Sequence, residues 1–147
     1  MASSLAGEWP ADQTAQATVH IANKKGGDIY EEVELRLRTT ITKHSCTGYE
    51  INFRCVGPNS GYNEIVRWDG ALGKFTYLSQ KSGGAADGDV IKATIVGNLI
   101  TVYRNGVKVN QAKDDKFGGG SPGIGFFLQG GDAKMTDDYG FTEFSAE

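Results

Sequence analysis

Hydrophobic and polar residues alternate along most of this chain with a period of two. In residues 29–42, Val33, Leu35, Leu37, Thr39 and Ile41 fall on one face, and Glu32, Glu34, Arg36, Arg38 and Thr40 on the other. Sustained alternation of this kind marks a strand with one buried face. Residues 46–56 repeat the pattern, with Tyr49, Ile51, Phe53 and Cys55 inward and Glu50, Asn52 and Arg54 outward. A three-residue turn at Lys43-His44-Ser45 sets Arg38 opposite Glu50, Arg36 opposite Asn52 and Glu34 opposite Arg54, with Leu37 facing Ile51 and Leu35 facing Phe53. Sliding the pair so that Arg36 met Arg54 would oppose like charges, so charge complementarity favours this register.

Residues 89–111, DVIKATIVGNLITVYRNGVKVNQ, read as three strands joined by two tight turns. Asn105-Gly106 suits a type I′ turn, in which both central residues need φ > 0, and Gly97-Asn98 suits the same turn one strand earlier. These turns pair Val96 with Leu99, Ile95 with Ile100, Ala93 with Val102, Val102 with Val109, and Arg104 with Val107. One face then carries Ile91, Ala93, Ile95, Ile100, Val102, Val107 and Val109, and the other Lys92, Thr94, Thr101, Tyr103 and Lys108. A meander with one apolar face requires a second sheet to cover it.

Further strands are expected at residues 13–22, 62–68, 74–79, 124–129 and 139–144, between Gly-rich turns. Asp69-Gly70 closes the 62–68 strand. Its expected facing puts Val66 and Trp68 inward and Arg67 on the charged face, because an arginine inside a sandwich needs a partner. Nine or ten strands and no helix of normal length predict an all-β protein, a two-sheet antiparallel β-sandwich with jelly-roll connections. Residues 1–12 read as a loosely held segment and 13–147 as a single domain.

Composition narrows the classes. Gly is 21 of 147 residues and Pro only 3, which places the glycines at turns rather than in a disordered tract. A net charge of −3 carries no nucleic-acid footprint. No apolar run approaches the ~20 residues of a membrane span. MASSLAGEWP lacks the basic and apolar regions of an intact signal peptide, so the compartment stays open: the chain is made without a leader, or is secreted with its leader removed. Cys46 and Cys55 lie nine apart in one strand, roughly 30 Å when extended and beyond disulfide reach, so both are expected as free thiols.

GDVIKATIVGNLITVYRNGVKV, SPGIGFFLQG and the aromatic last strand together resemble the C-terminal half of concanavalin A-like lectin/glucanase jelly rolls, the laminin-G-like and sugar-binding branches above all. The resemblance runs back through YEEVELRLR, CTGYEINFRCV and YNEIVRWDG. It implies the fold; it leaves lectins, binding modules, hydrolases and lyases open as functions. It also implies missing strands at the N-terminal end, and hence an exposed sheet edge on which a homo-oligomer can form.

Candidate chemistry follows from the charged face. Sugars are held by Arg, Asn and Glu side chains beside a flat aromatic ring. Arg36, Arg38, Glu50, Asn52, Arg54 and Arg67 supply the first, and Tyr62, Trp68 or Tyr103 the second. An Arg-rich face of this kind suits an acidic sugar. The expectation is a non-catalytic carbohydrate-binding or lectin-like domain for an oligo- or polysaccharide; a glycoside hydrolase or polysaccharide lyase on the same scaffold, or an assembly domain without a small ligand, is the alternative. The resemblance's glucanase pattern E-x-D-x-x-E is absent, and carboxylates paired to Arg36, Arg38, Arg54 and Arg67 would have lowered pKa values, unsuited to a general acid. Gly119-Gly120-Ser121-Pro122-Gly123 matches G-x-S-x-G, but a strand follows it where a nucleophile elbow needs a helix. No cofactor is expected beyond a weak structural calcium candidate at Asp137 and Asp138, near Asp132.

Overall fold

A computed structural model describes residues 1–132 and 137–147. Two antiparallel sheets stack face to face. In chain order the strands are β1 (Ala2–Ser4), β2 (Gln13–Ile21), β3 (Tyr30–Ile41), β4 (Ser45–Arg54), β5 (Tyr62–Ala71), β6 (Phe75–Ser82), β7 (Val90–Val96), β8 (Leu99–Arg104), β9 (Val107–Lys113), β10 (Ser121–Gln129) and β11 (Tyr139–Ala146). One sheet has the order β1-β10-β3-β4-β5-β6 and the other β11-β2-β7-β8-β9. Among the described residues there is no α-helix, and none long and apolar enough to cross a membrane.

The core is the product of the alternation. β3, β4 and β5 contribute Val33, Leu35, Leu37, Tyr49, Ile51, Phe53 and Ile65. The facing sheet contributes Ala15, Ala17, Val19, Ile91, Ala93, Ile95, Ile100 and Val102. The six-stranded sheet brings two large rings, Tyr49 and Phe53, to a core to which the other sheet brings three alanines, Ala15, Ala17 and Ala93, so large and small side chains share the space between the sheets. Cys46 and Cys55 are both free and buried, as their separation requires.

The Asn105-Gly106 turn forms as expected, with φ of 51° and 79°. At the earlier turn only Gly97 has positive φ (58°), so this is the type II′ pattern rather than I′. β7 and β8 pair in the expected register, but a bulge at Val102/Tyr103 pairs Val102 with Asn110 in place of Val109. Asn110 is consequently buried, while Val107 stands exposed. The β5–β6 turn also differs. β5 runs on through Asp69-Gly70, and the chain reverses at Leu72-Gly73, where the Lys74 amide donates to Ala71 O.

The β3–β4 register differs from the expected one by two residues. Arg36 lies opposite Glu50, Glu34 opposite Asn52, and Glu32 opposite Arg54. Half of the displacement arises at the turn, where Ile41 rather than Thr42 pairs with Cys46. The other half is a bulge between Leu37 and Thr40. Arg38 sits in that bulge with φ 46°, and Gly48 lies across from it with φ 116°. A Cβ on Gly48 would stand 2.4 Å from the Arg38 carbonyl oxygen, so the bulge depends on this glycine.

Candidate functional site

The outer face of the six-stranded sheet curves into an open groove of ≈ 450 Å³. β3, β4 and β5 supply its floor: Glu32 and Glu34, Glu50 and Asn52, Glu64 and Val66. The wall on the β5–β6 side is aromatic, with Trp68, Phe75 and Tyr77; Tyr30, Tyr62 and Phe127 stand around the other side and the end. Period-2 alternation explains the floor, since every residue on it is two positions from the next along its strand.

This floor is acidic, where the sequence pointed to an arginine-rich face. Four glutamates share it, and one arginine, Arg36, lies among them. Arg36 Nη2 donates to Glu34 Oε2 at 2.5 Å and to Glu50 Oε2 at 2.8 Å. Its guanidinium carbon lies 5.5 Å from the Trp68 ring centroid. The Trp68 indole N–H donates to Glu50 Oε2 at 2.6 Å, and the ring is tilted against Phe75 at 5.4 Å. The indole is thus held at one edge by a carboxylate and over one part of its face by a cation, before any ligand arrives. Asn52 Nδ2 bridges Glu50 and Glu64 at 3.0 and 3.1 Å, and Gln80 Nε2 donates to Glu64 at 2.6 Å. The Tyr62 hydroxyl donates to Glu32.

The other arginines expected here are elsewhere. The bulge carries Arg38 off the face to the end of the sandwich, where its guanidinium donates to the carbonyls of Ala11, Phe117 and Gly97 at 2.6, 2.9 and 2.7 Å. Three irregular segments are tied together by that one side chain. Arg67 points to the opposite side of β5, where it donates to Asp69 at 2.7 Å and pairs with Asp114. Val66 and Trp68 therefore face the groove and Arg67 does not, the reverse of the expected facing. Arg54 lies at the far end, 4.0 Å over the Tyr30 ring, donating to Gly27 O and Ile29 O. Tyr103 is on the outer face of the other sheet, with Lys92 Nζ 6.0 Å from its ring. Of the residues singled out, Glu50, Asn52, Tyr62 and Trp68 line the groove and Arg36 lies beneath it. Glu32, Glu34, Glu64, Phe75 and Tyr77 complete it.

Burial changes the acid chemistry. Desolvation pushes the Glu32 carboxyl up to about 7, against the Tyr62 hydrogen bond, which lowers it; Glu50 and Glu64 add to the rise. Desolvation and the nearby Glu50 likewise push Glu34 up to about 7, outweighing Arg36. These shifts are opposite to those expected from arginine pairing. Glu32, Glu34 and Glu50 each place one oxygen within 4.8 Å of the others, a spacing compatible with a metal ion. The guanidinium of Arg36, however, already stands between Glu34 and Glu50. Of the calcium candidate, Asp138 accepts from Asn23 at 2.8 Å and pairs with Lys25 at 3.6 Å, and Asp137 is exposed; residues 133–136, between Asp132 and Asp137, lie outside the described residues.

No known sequence family matches this chain, and no curated protein does. Solved structures do. A carbohydrate-binding module, CBM66 from Bacillus subtilis, superposes with a TM-score of 0.67 at 16% identity, covering 100% of this chain and 77% of the module. Sheep galectin-11, solved with glycerol, gives 0.66 at 9% identity, covering 100% of this chain and 96% of the galectin. At these identities the likeness is one of fold: the chain is a concanavalin A-like jelly roll.

Proposed function

We propose that this chain is a carbohydrate-binding domain that holds an oligo- or polysaccharide in the groove on the six-stranded sheet. The observation that carries the reading is the placement of Trp68. Its ring stands beside the floor carboxylates, fixed by Glu50 and Arg36, with Phe75 and Tyr77 extending the aromatic surface along the groove. A sugar ring presents an apolar C–H face and hydroxyl edges. The aromatic wall receives the first, and Glu50, Asn52 and Glu64 receive the second. Fixing these side chains in advance lowers the ordering cost of binding. The fold shared with a carbohydrate-binding module and a galectin supports this reading. An acidic sugar, suited to an arginine-rich face, does not fit a floor of four glutamates.

Binding to a glycan array, followed by calorimetry on the best ligand, tests the proposal. Trp68→Ala is expected to weaken that ligand by about tenfold or more, as loss of an aromatic contact at a binding hot spot does. The far-UV spectrum should be unchanged. Full affinity in Trp68→Ala, or no glycan bound at all, would remove the proposal.

One observation favours a second reading. Two carboxyls raised by burial to about 7 beside Glu50 have the character of a general acid next to a carboxylate partner. If the chain cleaves sugars, prolonged incubation with the array's best ligand will yield shorter products by mass spectrometry, and Glu34→Gln will stop it. Intact ligand after that incubation would leave the binding reading alone.

A further inference from the structure

The hydrogen-bond inventory of the groove floor is one-sided. Arg36 Nη2 is used by Glu34 and Glu50, Asn52 Nδ2 by Glu50 and Glu64, the Trp68 indole by Glu50, the Tyr62 hydroxyl by Glu32, and Gln80 Nε2 by Glu64. What remains on the floor is chiefly acceptor capacity: spare lone pairs on Glu50 and Glu64, and Asn52 Oδ1, which is buried without a donor. Asn52 as a whole is 3% exposed and lines the groove. Arg36 Nε, a buried donor without a partner, belongs to a residue that does not line the groove. A buried acceptor without a partner is a cost that a ligand can relieve.

Charge points the same way. Four carboxyl groups face one guanidinium on the floor; burial raises Glu32 and Glu34 to about 7, so they carry part of their charge at neutral pH, and the floor keeps an excess of acid. A ligand that donated without bringing charge would answer the hydrogen-bond deficit alone. A ligand bearing an ammonium answers both, with three N–H donors and one positive charge. The aromatic wall of Trp68, Phe75 and Tyr77 adds cation–π attraction beside it. A divalent metal is the poorer fit, because the Arg36 guanidinium already sits between Glu34 and Glu50, two of the three carboxylates near enough to share an ion.

Resting on the carbohydrate-binding reading, we propose that the groove selects saccharides carrying a protonated amine, an unacetylated amino-sugar unit whose ammonium docks against Asn52 Oδ1 and the Glu50 and Glu64 carboxylates while its ring lies on Trp68. N-acetylation removes the charge and two of the three donors, so the free amine and its acetyl derivative form the discriminating pair.

The experiment is calorimetric titration of the full chain with amine-bearing and N-acetylated forms of gluco- and galacto-configured oligosaccharides, with a neutral glycan panel and spermine alongside. The amine form of at least one pair is expected to bind about tenfold tighter than its acetylated partner, the scale of one charge-assisted hydrogen bond. Glu64→Gln, which keeps the shape of the side chain, should reduce that preference several-fold, with its fold checked by far-UV spectroscopy. Trp68→Ala should weaken the amino sugar by a larger factor than it weakens spermine, because only the sugar also stacks its ring on Trp68. Equal or tighter binding of both acetylated forms overturns the amine preference, as does affinity that appears only with added calcium. Binding confined to a neutral glycan overturns the preference and leaves the carbohydrate reading standing. Spermine binding as tightly as the amino sugar, with no response to Trp68→Ala, reduces the effect to general polycation attraction and overturns the preference. Binding to no saccharide overturns both.

Discussion

The two sheets carry polar residues on their outer faces, and they carry them in different states. On the five-stranded sheet, Lys92, Thr94 and Tyr103 are half-buried and Lys108 is exposed, a surface whose groups are met by water and one another. On the six-stranded sheet, Glu34, Arg36, Glu50 and Asn52 are 3–5% exposed, although the groove above them is open among the described residues. Glu34 lies close over Gly125 of β10, and Arg36 and Asn52 are held among the acids by hydrogen bonds and ion pairs. A solvated face needs only soluble side chains. The groove face holds four carboxylates in a poorly hydrated place, at a cost in stability, and a structure that tolerates such a cost commonly does so at a site of function.

The largest expected effect separates the faces by mutation. Arg36→Ala leaves Glu34 and Glu50 buried together without their shared cation, and should destabilise the chain by ~3–5 kcal/mol in urea unfolding. Lys92→Ala on the other sheet should change stability by less than ~0.5 kcal/mol. Similar values for the two would erase the contrast.

A second test uses pH. Glu32 and Glu34 titrate near 7 in the folded chain, against an ordinary value of 4.5. The folded state therefore holds protons that the unfolded state has released. Their contribution to stability is full below about 4.5 and is lost as pH rises through 7. Thermal unfolding should show stability falling between these values by on the order of 1–3 kcal/mol. Asp69 and Asp114, held below the usual carboxylate range mainly by hydrogen bonds from Lys116, Thr76, Tyr49 and Arg67, act in the opposite sense at lower pH. Glu34→Gln should flatten the slope and raise stability at pH 8. A slope rising from pH 5 to 7 would show that Arg36 pairing outweighs burial.

The smallest effect concerns the meander of the five-stranded sheet. Gly106→Val should cost on the order of 1 kcal/mol, because a branched side chain resists the φ of 79° found there, and the groove should keep its ligand affinity.

Much of this could be read from the chain itself, and what escaped has a common cause. Alternation identified β3, β4 and the β7–β9 meander, because one buried face imposes a period of two wherever pairing is regular. Bulges broke the inference. One extra residue at Arg38 removed that side chain from the charged face and, together with the one-residue change at the turn, slid Glu32 and Glu34 along β4 so that they meet Arg54 and Asn52. The available signal was Gly48, a glycine in the interior of a strongly alternating strand. The facing of β5 failed differently. The expectation of Trp68 inward rests on an inner Arg67 lacking a partner, and on the inner side Arg67 meets Asp69 and Asp114, partners that sequence alone does not supply. Position relative to neighbouring strands, rather than residue type, decided which acids converge.

The claim that the groove is a saccharide site is tested most directly by the chain's two tryptophans. Trp68 stands in the groove; Trp9 lies outside it, its indole donating to Ala6 O at 3.1 Å. In a nitrogen-edited spectrum each gives one indole N–H resonance. Titration with an amine-bearing oligosaccharide should move the Trp68 resonance progressively to saturation and leave that of Trp9 in place. A saturating shift confined to Trp9, or no shift of either across the amino-sugar and neutral glycan panels, would contradict the account.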